Sequence, residues 1–551
     1  MGGSQNVDMV ESWFEQFPSL FEREKRILEQ YGFTLDVERL QKEKIVVFHG
    51  RSAQIKEYPI TIIYPDGYPS FPPDVFCNVP DELLLVRHQR KDSKSLCMFG
   101  FANERWNASY TAREVIYEAE ELIVKYSPLN FNNNYEDDTV PEPLINQFPY
   151  NEYAKLLIPY PFGNYSFEDL KLIQSAKIRY DEKLKKGIII EIQKDNEWVQ
   201  AHEEYYKWFE KGTVYNAVIC KLPQTPHFNS SIALEWLKHE GYIRNSKTAK
   251  TLNQFIILTF PDEWGVRGNY RMSWIALRNI QSRPYWIKCY LITEDDIVTR
   301  NPYGKQLKDK TVSIVGAGSL GSIVATSIAQ EGVGTINLID YDDYEPGNTV
   351  RHQVSQFLFG VPKVYAVKDR ILQLNPRTKV SSFPVRVEKK RETFQALLES
   401  DLIIDTTGNH NVSHYLNRIA TRYKVPLIVS SVTNGAWSCE IVKYIPLQSG
   451  CWICWNRRYG NTIPPSAPKN EYQFAPGCDQ PTFVGGISSI NIAGGLIVQS
   501  AIDIMLNMSK EGQEYVLWSE RDLQGNRSYS INFLPNPPFS DCNVCMNNSM
   551  K

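Results

Sequence analysis

The sequence lacks a strong excess of charge of either sign, because 60 Lys and Arg residues stand against 63 Asp and Glu residues. The resulting net charge of −3 gives no global reason to expect a nucleic-acid partner. The amino terminus is acidic and amphipathic, without the basic and apolar regions of a secretory or transit peptide. The most apolar long stretch, residues 484–506, contains Ser, Asn, Gln and Asp, so we expect a buried helix there. These absences predict a soluble, cytoplasmic protein with no membrane and no direct nucleic-acid partner.

Cysteine is also sparse, with ten residues in 551, which excludes a disulfide scaffold. Four cysteines nevertheless form two CxxC pairs, CWIC at 451–454 and CNVC at 542–545. In a reducing compartment such pairs favour metal binding or catalysis. Cys97 and Cys478 stand in loop-like contexts, where a thiol can react. The remaining cysteines lie in apolar runs and are predicted core residues: Cys77, Cys220, Cys289 and Cys439.

A chain of 551 residues is too long for one hydrophobic core and predicts several domains. The polar, proline-bearing stretch NFNNNYEDDTVPEP predicts a boundary after a first domain at residues 1–135. Residues 150–298 mix helix-like and strand-like patterns and predict a central α/β connecting domain. Residues 300–551 alternate strand, loop and helix signals, which is typical of a parallel sheet covered by helices. The predicted fold class is therefore multidomain α/β.

A glycine-rich turn opens the last predicted domain. An apolar strand leads into G-x-G-x-x-G at Gly316, Gly318 and Gly321, and a helical pattern follows. The glycines allow a tight turn and a close approach to a phosphate, whose charge is favoured at a helix amino terminus. Asp340, at the end of the next strand, is placed to accept hydrogen bonds from ribose hydroxyls. This fingerprint predicts a nucleotide site, and taken alone it favours NAD.

The residues after Asp340 favour ATP instead. They resemble the MoeB/ThiF and ubiquitin-activating family, in which an acidic pair precedes Asn-x-x-Arg and Gly-x-x-Lys. In this sequence the matching residues are Asp340 with Asp342, Asn348 with Arg351, and Lys363. Adenylation of a carboxylate must neutralise a triphosphate, which cations at the phosphates accomplish and which hydride transfer does not require. The resemblance implies an ATP-binding adenylation domain with Arg351 and Lys363 as catalytic residues.

One position departs from that family. Gly408 stands where the family usually has an Asp that helps to hold Mg²⁺, and Asp405 three residues earlier is the candidate replacement. A magnesium site is therefore expected with uncertain ligands. A degenerate, non-catalytic domain is the alternative that this departure leaves open.

The cysteines of the second half fit the same family. Two CxxC pairs, Cys451 with Cys454 and Cys542 with Cys545, are of the kind that closes a tetrahedral zinc site without an open position. We expect structural Zn²⁺ there, and a redox CxxC is the alternative. In the family, Ala-Pro-x-Cys before a Gly-rich turn and a helix carries the active-site cysteine, and Cys478 matches it. A helix amino terminus stabilises a thiolate at such a position.

The first domain resembles ubiquitin-conjugating enzymes over about residues 8–130. YPDGYPSFPPDV at 64–75 is followed, in the family's order, by His88, Leu96, Cys97 and Trp106. The resemblance implies an α+β fold with Cys97 as a thioester-forming nucleophile. His88-Gln89-Arg90 replaces the family's His-Pro-Asn, whose Asn stabilises the oxyanion. Three side chains are candidates for the missing donor: Arg90, Asn103 and Asn107.

The combination resembles the fused activating and conjugating proteins of bacterial CBASS anti-phage operons. That resemblance implies a homodimer that adenylates the carboxyl terminus of a cyclic-oligonucleotide synthase (CD-NTase). The acyl group would pass to Cys478, then to Cys97, then to an amine of an acceptor protein. Three alternatives stay open: a separate bacterial ubiquitin-like modifier as the substrate, sulfur-carrier activation, which has no use for residues 8–130, and a non-enzymatic scaffold that binds a synthase carboxyl terminus.

Overall fold

The structure is a computed structural model. It describes the following residues: 12–100, 103–130, 139–202, 205, 211–243, 255–280, 283–293, 301–468 and 484–545. The chain divides into two compact units, Met1–Thr293 and Glu294–Lys551.

The amino-terminal part of the first unit packs helices against a small antiparallel sheet in the order β1-β2-β3-β4. The strand β3 alternates fully and partly buried residues, as one packed face requires. The elements are α1 (Trp13–Gln16), α2 (Pro18–Gln30), β1 (Thr34–Leu35), α3 (Val37–Glu43), β2 (Val46–Arg51), β3 (Pro59–Tyr64), β4 (Asp74–Phe76) and α4 (Ala112–Tyr126). A capping box between Thr111 and Glu114 starts α4. Assignment of this part to the ubiquitin-conjugating fold stays a prediction.

The rest of the first unit is built mainly from strands, which corrects the expected α/β character of the central region. The strand order is β5-β12-β11-β10-β9-β6-β7-β8, and an additional parallel pairing of β5 with β7 closes the sheet on itself. The elements are β5 (Tyr150–Ile158), β6 (Ile173–Asp181), β7 (Lys186–Lys194), β8 (Glu197–Gln200), β9 (Thr213–Lys221), α5 (Ser230–His239), β10 (Phe255–Trp264), β11 (Val266–Ile280) and β12 (Arg283–Leu291). Apolar runs rich in Ile and Val, which suit strands, outweigh the short helix-like patterns here.

The second unit is a doubly wound α/β sheet, as the alternation of strand and helix signals predicts. The order β15-β14-β13-β16-β17-β18-β19-β20 is parallel through β17 and antiparallel afterwards. Its strands are β13 (Thr311–Val315), β14 (Thr335–Ile339), β15 (Lys379–Phe383), β16 (Leu402–Asp405), β17 (Leu427–Val432), β18 (Ser438–Tyr444), β19 (Tyr515–Arg521) and β20 (Arg527–Leu534). Its helices are α6 (Gly304–Leu307), α7 (Ser319–Gln330), α8 (Lys363–Leu374), α9 (Arg391–Leu398), α10 (His410–Tyr423), α11 (Trp452–Tyr459) and α12 (Ile487–Met505).

The chain reverses its winding direction at β13, because β14 lies on one side of it and β16 on the other. Such a switch point leaves a crevice outside the carboxyl ends of the strands, where open α/β sheets bind ligands. The fold therefore positions the glycine-rich turn after β13 at the expected site.

The helix α12 is long and apolar enough to cross a membrane by length and composition, yet 56% of its window is buried inside the fold. It crosses α7 closely at Gly494, where a Cβ atom would lie 2.5 Å from Cγ2 of Ile323. The apolar stretch at 484–506 thus forms a core helix, as its polar residues predict.

Candidate functional site

The glycine-rich turn has the geometry that its sequence predicts. Gly316 follows β13 with a φ of 95°, a conformation that favours glycine. A Cβ atom at Gly321 would lie 1.9 Å from the carbonyl oxygen of Gly316, so the first turn of α7 packs directly on the loop. Gly318 is the amino-terminal cap of α7 and has open space around it. Backbone amides at this helix start therefore face a space that can accept an anionic group.

Asp340 fastens the end of β14 to the glycine-rich turn. Its Oδ2 accepts a hydrogen bond from the Ala317 amide at 2.6 Å, and its Oδ1 accepts one from the Asp342 amide at 2.9 Å. Burial raises the pKa of this carboxyl, and the Lys363 charge opposes that rise. Both oxygens thus already support the loop, so Asp340 positions the turn as well as facing the predicted ribose site.

The first predicted phosphate-binding cation, Lys363, begins α8. Its Nζ lies 2.9 Å from Oδ2 of Asp342, and its amide donates to the carbonyl oxygen of Asp342, also at 2.9 Å. The Lys363 side chain is only 12% exposed, whereas that of Asp342 is 47% exposed. This pairing holds an ammonium group at the carboxyl edge of the sheet.

Asn348 and Arg351 lie in one 3₁₀ turn, Pro346–Arg351. The amide oxygen of Asn348 accepts a hydrogen bond from the Glu345 amide at 3.1 Å and thereby caps this turn. Burial lowers the pKa of Arg351. Asn348 therefore shapes the segment that carries Arg351.

His352 joins that segment to the glycine-rich turn. The sequence motifs described above do not include this residue. Its Nε2 lies 2.9 Å from the carbonyl oxygen of Ala317, which assigns the proton to Nε2. Burial, together with the charges of Lys363 and Arg351, lowers the pKa of His352 to about 4, although the hydrogen bond to Ala317 opposes this shift. The imidazole therefore binds the glycine-rich turn and lies near enough to both predicted cations for their charges to act on it. The one sequence feature that could have indicated His352 is its position directly after Arg351.

Asp405 does not occupy the place of the missing magnesium ligand. It is fully buried at the end of β16, and its Oδ2 accepts a hydrogen bond from the Ser413 hydroxyl at 2.6 Å. Its Oδ1 accepts bonds from the amide and hydroxyl of Thr407. Gly408 has a φ of 63° and open space where a side chain would stand. Asp405 therefore ties the loop before α10 to Ser413 in the first turns of that helix, and both of its oxygens are occupied by these hydrogen bonds.

The two CxxC pairs come together as one cluster. The Sγ atoms of Cys451 and Cys542 are 3.8 Å apart, those of Cys454 and Cys545 are 3.6 Å apart, and all four lie within 4.8 Å of one another. Zn–S bonds of about 2.3 Å in a tetrahedron place sulfurs about 3.8 Å apart, so these residues fit Zn²⁺. Within the described ranges it is the one group of three or more candidate metal ligands.

Asn536 stabilises the backbone next to that cluster. It is fully buried, and its Nδ2 donates to the carbonyl oxygens of Gly450 and Cys451 at 2.9 and 3.4 Å. The Phe539 amide also points at Sγ of Cys454, 3.4 Å away. Hydrogen bonds of this kind orient metal ligands and stabilise thiolate sulfur. The carboxy-terminal segment is thus fixed to α11.

The second unit matches a known protein family. The model of the ThiF family matches residues 295–543. The protein y4oA of Sinorhizobium fredii is 30% identical over 231 residues, 38% of each chain. The molybdopterin-synthase adenylyltransferase of Escherichia coli is 32% identical over 158 residues, 28% of this chain and 61% of that protein.

The carboxy-terminal half therefore contains a domain that is similar to the ThiF family and to this adenylyltransferase. This chain spans between 38% and 61% of the length of these two relatives. The crystal structure of E. coli MccB with MccA-N7isoASN superposes with a TM-score of 0.37 at 20% identity, over 46% of this chain and 76% of that one. The match to the ThiF family begins at residue 295, so residues 1–294 lie outside it.

The predicted thioester cysteine of the ThiF/MoeB-like domain, Cys478, lies outside the described residues. The described chain resumes at residue 484, just before α12. Its assignment as the first thioester site therefore stays a prediction.

Outside the ThiF/MoeB-like domain, Cys97 is the exposed member of the nine described cysteines. Leu96 and Met98 on either side are buried, so the backbone is anchored on both sides of an exposed residue whose thiol is partly shielded from solvent. The Cys97 amide donates to the carbonyl oxygen of His88 at 2.7 Å. Burial raises the pKa of the Cys97 thiol, the Glu142 carboxylate raises it further, and the Arg90 guanidinium lowers it.

Gln89 and Arg90 stand where the conjugating family has Pro and Asn. The Gln89 side chain is buried, and its Nε2 donates to the carbonyl oxygens of Cys77 and Lys94. Arg90 pairs with Asp92, with nitrogen–oxygen distances of 3.1 and 2.9 Å.

The other two oxyanion candidates differ in what the structure shows of them. The side-chain oxygen of Asn107 accepts bonds from the amide and hydroxyl of Ser109, which makes it a local turn former. Asn103 is exposed and has a φ of 59°. Arg90 is the candidate donor whose charge reaches Cys97.

Proposed function

We propose that this protein uses ATP to adenylate the carboxyl terminus of a protein and then conjugates it to an amine through two thioesters. The observation that carries the first step is the chain of contacts in which Asp340 binds the amides of Ala317 and Asp342, and Asp342 pairs with Lys363. His352, directly after Arg351, contacts the same turn at the Ala317 carbonyl oxygen. Two cations at the carboxyl edge of the sheet suit a triphosphate under attack by a carboxylate. The name of the E. coli relative, an adenylyltransferase, supports the same reaction.

Each proposed step replaces one bond by another. A carboxylate oxygen attacks the α-phosphorus of ATP, the bond to the β-phosphate breaks, and pyrophosphate leaves. The Cys478 thiolate then attacks the acyl carbonyl and AMP departs. The Cys97 thiolate takes the acyl group as Cys478 leaves, and an amine finally displaces Cys97. Adenylation makes the carbonyl electrophilic and divides a difficult acylation into easier ones.

The proposed groups besides ATP are Zn²⁺ and Mg²⁺. Zn²⁺ is held by Cys451, Cys454, Cys542 and Cys545, where it joins the carboxy-terminal segment to the domain. Mg²⁺ accompanies ATP in the proposal, and the described residues assign it no protein ligand.

The substrate that we propose is the carboxyl terminus of a cyclic-oligonucleotide synthase, whose conjugation primes it in anti-phage defence. The resemblance of both ends of the chain to the fused CBASS proteins supports this choice. We further propose a cytoplasmic homodimer that binds neither membranes nor nucleic acid. A separate ubiquitin-like modifier is the competing substrate.

Exchange of labelled pyrophosphate into ATP tests the activation step. Full-length protein loaded with zinc and magnesium should catalyse exchange only when a peptide with the sequence of the synthase carboxyl terminus is added. Exchange with a ubiquitin-like protein but not with this peptide would select the competing substrate. Absence of exchange with both would reject adenylation and favour a scaffold.

The thioester route has a separate test. Wild type incubated with ATP and the peptide should carry an adduct that thiol reagents remove. Cys97→Lys should carry an adduct that they do not remove, because an amide replaces the thioester. Cys478→Ala should carry neither adduct on residue 97, and mass spectrometry of the peptides distinguishes these cases.

A further inference from the structure

The segment 139–147, which joins the two parts of the first unit, lies against the loop 87–91. We call this loop the thiol loop, because its His88 pairs with the backbone of Cys97. The segment 139–147 contacts the thiol loop at both of its ends. Three hydrogen bonds join loop to segment: Arg87 Nη2 to the Val140 oxygen, Arg90 Nη2 to the Asn146 oxygen at 3.4 Å, and the Lys91 amide to Gln147 Oε1 at 2.9 Å. The joining segment is therefore part of the surroundings of the thiol.

Two carboxylates at the end of β10 hold the same segment from its other side. Oε2 of Glu263 accepts a hydrogen bond from the Glu142 amide at 2.8 Å. The buried Asp262 accepts bonds from the amides of Leu144 and Ile145 at 2.8 and 2.9 Å. The central sheet thus fixes the position of Glu142.

The side chain of Glu142 points towards the thiol loop. Its Oε1 accepts a hydrogen bond from the His88 amide and lies 3.3 Å from Nδ1 of the same residue. The carbonyl oxygen of His88 in turn accepts the Cys97 amide at 2.7 Å. The Glu142 carboxylate is therefore linked to the Cys97 backbone through one residue, His88. Its negative charge raises the pKa of the Cys97 thiol. With 22% of its side chain exposed, it also meets solvent.

Attack of a lysine on a thioester needs a group that accepts a proton. The ammonium form of lysine, with a pKa of about 10.4, is not a nucleophile at neutral pH. A nearby carboxylate attracts the ammonium and takes one of its protons, which frees the nitrogen lone pair to attack the thioester.

We propose that Glu142 receives the attacking amine at the Cys97 thioester and accepts its proton. This inference rests on the proposed thioester at Cys97. The ammonium passes one proton to Glu142 and thence to water, the N–C bond forms and the C–S bond breaks. The electron pair of the broken bond stays on Sγ, and the second proton of the amine neutralises that thiolate.

His88 is less suited to this part, although it is nearer to Cys97 in the backbone pairing. Its Nδ1 already faces Glu142, and its ring packs edge-on against Tyr126 with centroids 4.8 Å apart. Of the two charged groups that act on the Cys97 thiol, Glu142 is the anionic one and is therefore suited to attract an ammonium.

The variant Glu142→Gln separates charge from structure, because its amide oxygen can still accept the His88 hydrogen bond. Full-length protein with Cys478→Ser is charged on Cys97 by exchange with the mercaptoethanesulfonate thioester of N-acetylglycine. Its discharge is then timed with free lysine and with hydroxylamine, whose nitrogen is already neutral at pH 7. We expect Glu142→Gln to lower the ratio of the lysine to the hydroxylamine rate by about 10- to 100-fold. The matched control is Glu152→Gln, an exposed carboxylate in the following strand, β5.

A second measurement does not depend on any acyl group. The rate of iodoacetamide alkylation at Cys97 is measured against pH by peptide mass spectrometry. In Glu142→Gln this pH profile should shift to lower pH, because the negative charge that raises the thiol pKa is removed. The titratable groups that face this thiol are Glu142 and Arg90, so Arg90→Gln should shift the profile the other way.

The outcomes distinguish this inference from the proposed function. An unchanged lysine-to-hydroxylamine ratio in Glu142→Gln would overturn the inference even if adenylation is demonstrated. An equal loss with both nucleophiles would also overturn it, since it indicates a structural role. A lowered ratio would support it even where pyrophosphate exchange fails, because the thioester is made chemically.

Discussion

Lys363 and Asp342 are joined twice, by a side-chain ion pair of 2.9 Å and by a backbone hydrogen bond of 2.9 Å. The backbone bond fixes the first residue of α8, and the ion pair sets the direction of its side chain. The Asp342 carboxylate is the more exposed partner of the pair. The Lys363 side chain is largely buried, so its ammonium group has little freedom to move. Lys363 is thus held in place where the proposed chemistry needs charge.

Lys363→Ala should lower kcat/KM of pyrophosphate exchange by about 10²- to 10³-fold, the usual cost of removing one group that stabilises developing charge. Asp342→Asn should cost less, because the ammonium remains and only its restraint weakens. Lys510→Ala, an exposed lysine after α12, serves as the control. Equal losses in the Lys363 and Lys510 variants would contradict the assignment.

The glycine-rich turn offers a matched pair of variants. Gly321→Ala should destabilise the second unit and lower its melting temperature by several degrees, since its Cβ would meet backbone at 1.9 Å. Gly318→Ala should fold normally, because no atom lies within 4 Å of its Cβ position, and yet bind ATP more weakly. Calorimetry and ATP titration measure the two effects. Normal ATP affinity in folded Gly318→Ala would argue against a phosphate at this loop.

Buried His352 predicts a pH dependence of stability. The unfolded chain takes up the proton near the ordinary pKa of 6.5 and the folded chain only near 4, so stability falls as the pH drops from about 6.5 to 4. Between pH 7 and 5 this one group should cost about 2 kcal/mol. His352→Gln keeps a donor for Ala317 and should flatten that dependence in urea unfolding of the full chain.

Nuclear magnetic resonance checks the same histidine directly. The Cε1 proton of His352, assigned by its loss in His352→Gln, should not titrate between pH 7 and 5. Titration near the ordinary pKa of 6.5 would contradict the buried, neutral imidazole.

The sequence predicted the geometry of the glycine-rich turn because the determinants of that turn are local. Gly316 and Gly321 carry their geometry in one turn, and Asp340 follows the adjacent strand at a regular distance. His352 and Glu142 escaped prediction because their roles depend on distant partners, the Ala317 carbonyl and the thiol loop. Contacts between residues so far apart in the sequence form only in the folded chain, so no local sequence pattern indicates them.

The central region shows the same limit at the level of fold. Individual apolar segments such as β10 and β11 are readable as strands, but their closure into one sheet depends on the pairing of β5 with β7. That pairing joins residues 155–157 to 186–188, which no local pattern specifies. The closed sheet could therefore not be predicted from local patterns.

The four-cysteine cluster predicts one bound zinc ion per chain. Cys542→Ser should lose zinc, measured by mass spectrometry of metals, and should lower the melting temperature because the carboxy-terminal segment is no longer tied to α11. Cys77→Ala, a buried cysteine of the first unit, should keep its zinc and serves as the control. Chelation of wild type should reproduce the Cys542→Ser melting temperature, and added Zn²⁺ should restore the original one. Wild type that contains no zinc after expression in zinc-supplemented medium, or a redox-active disulfide in its place, would contradict the site.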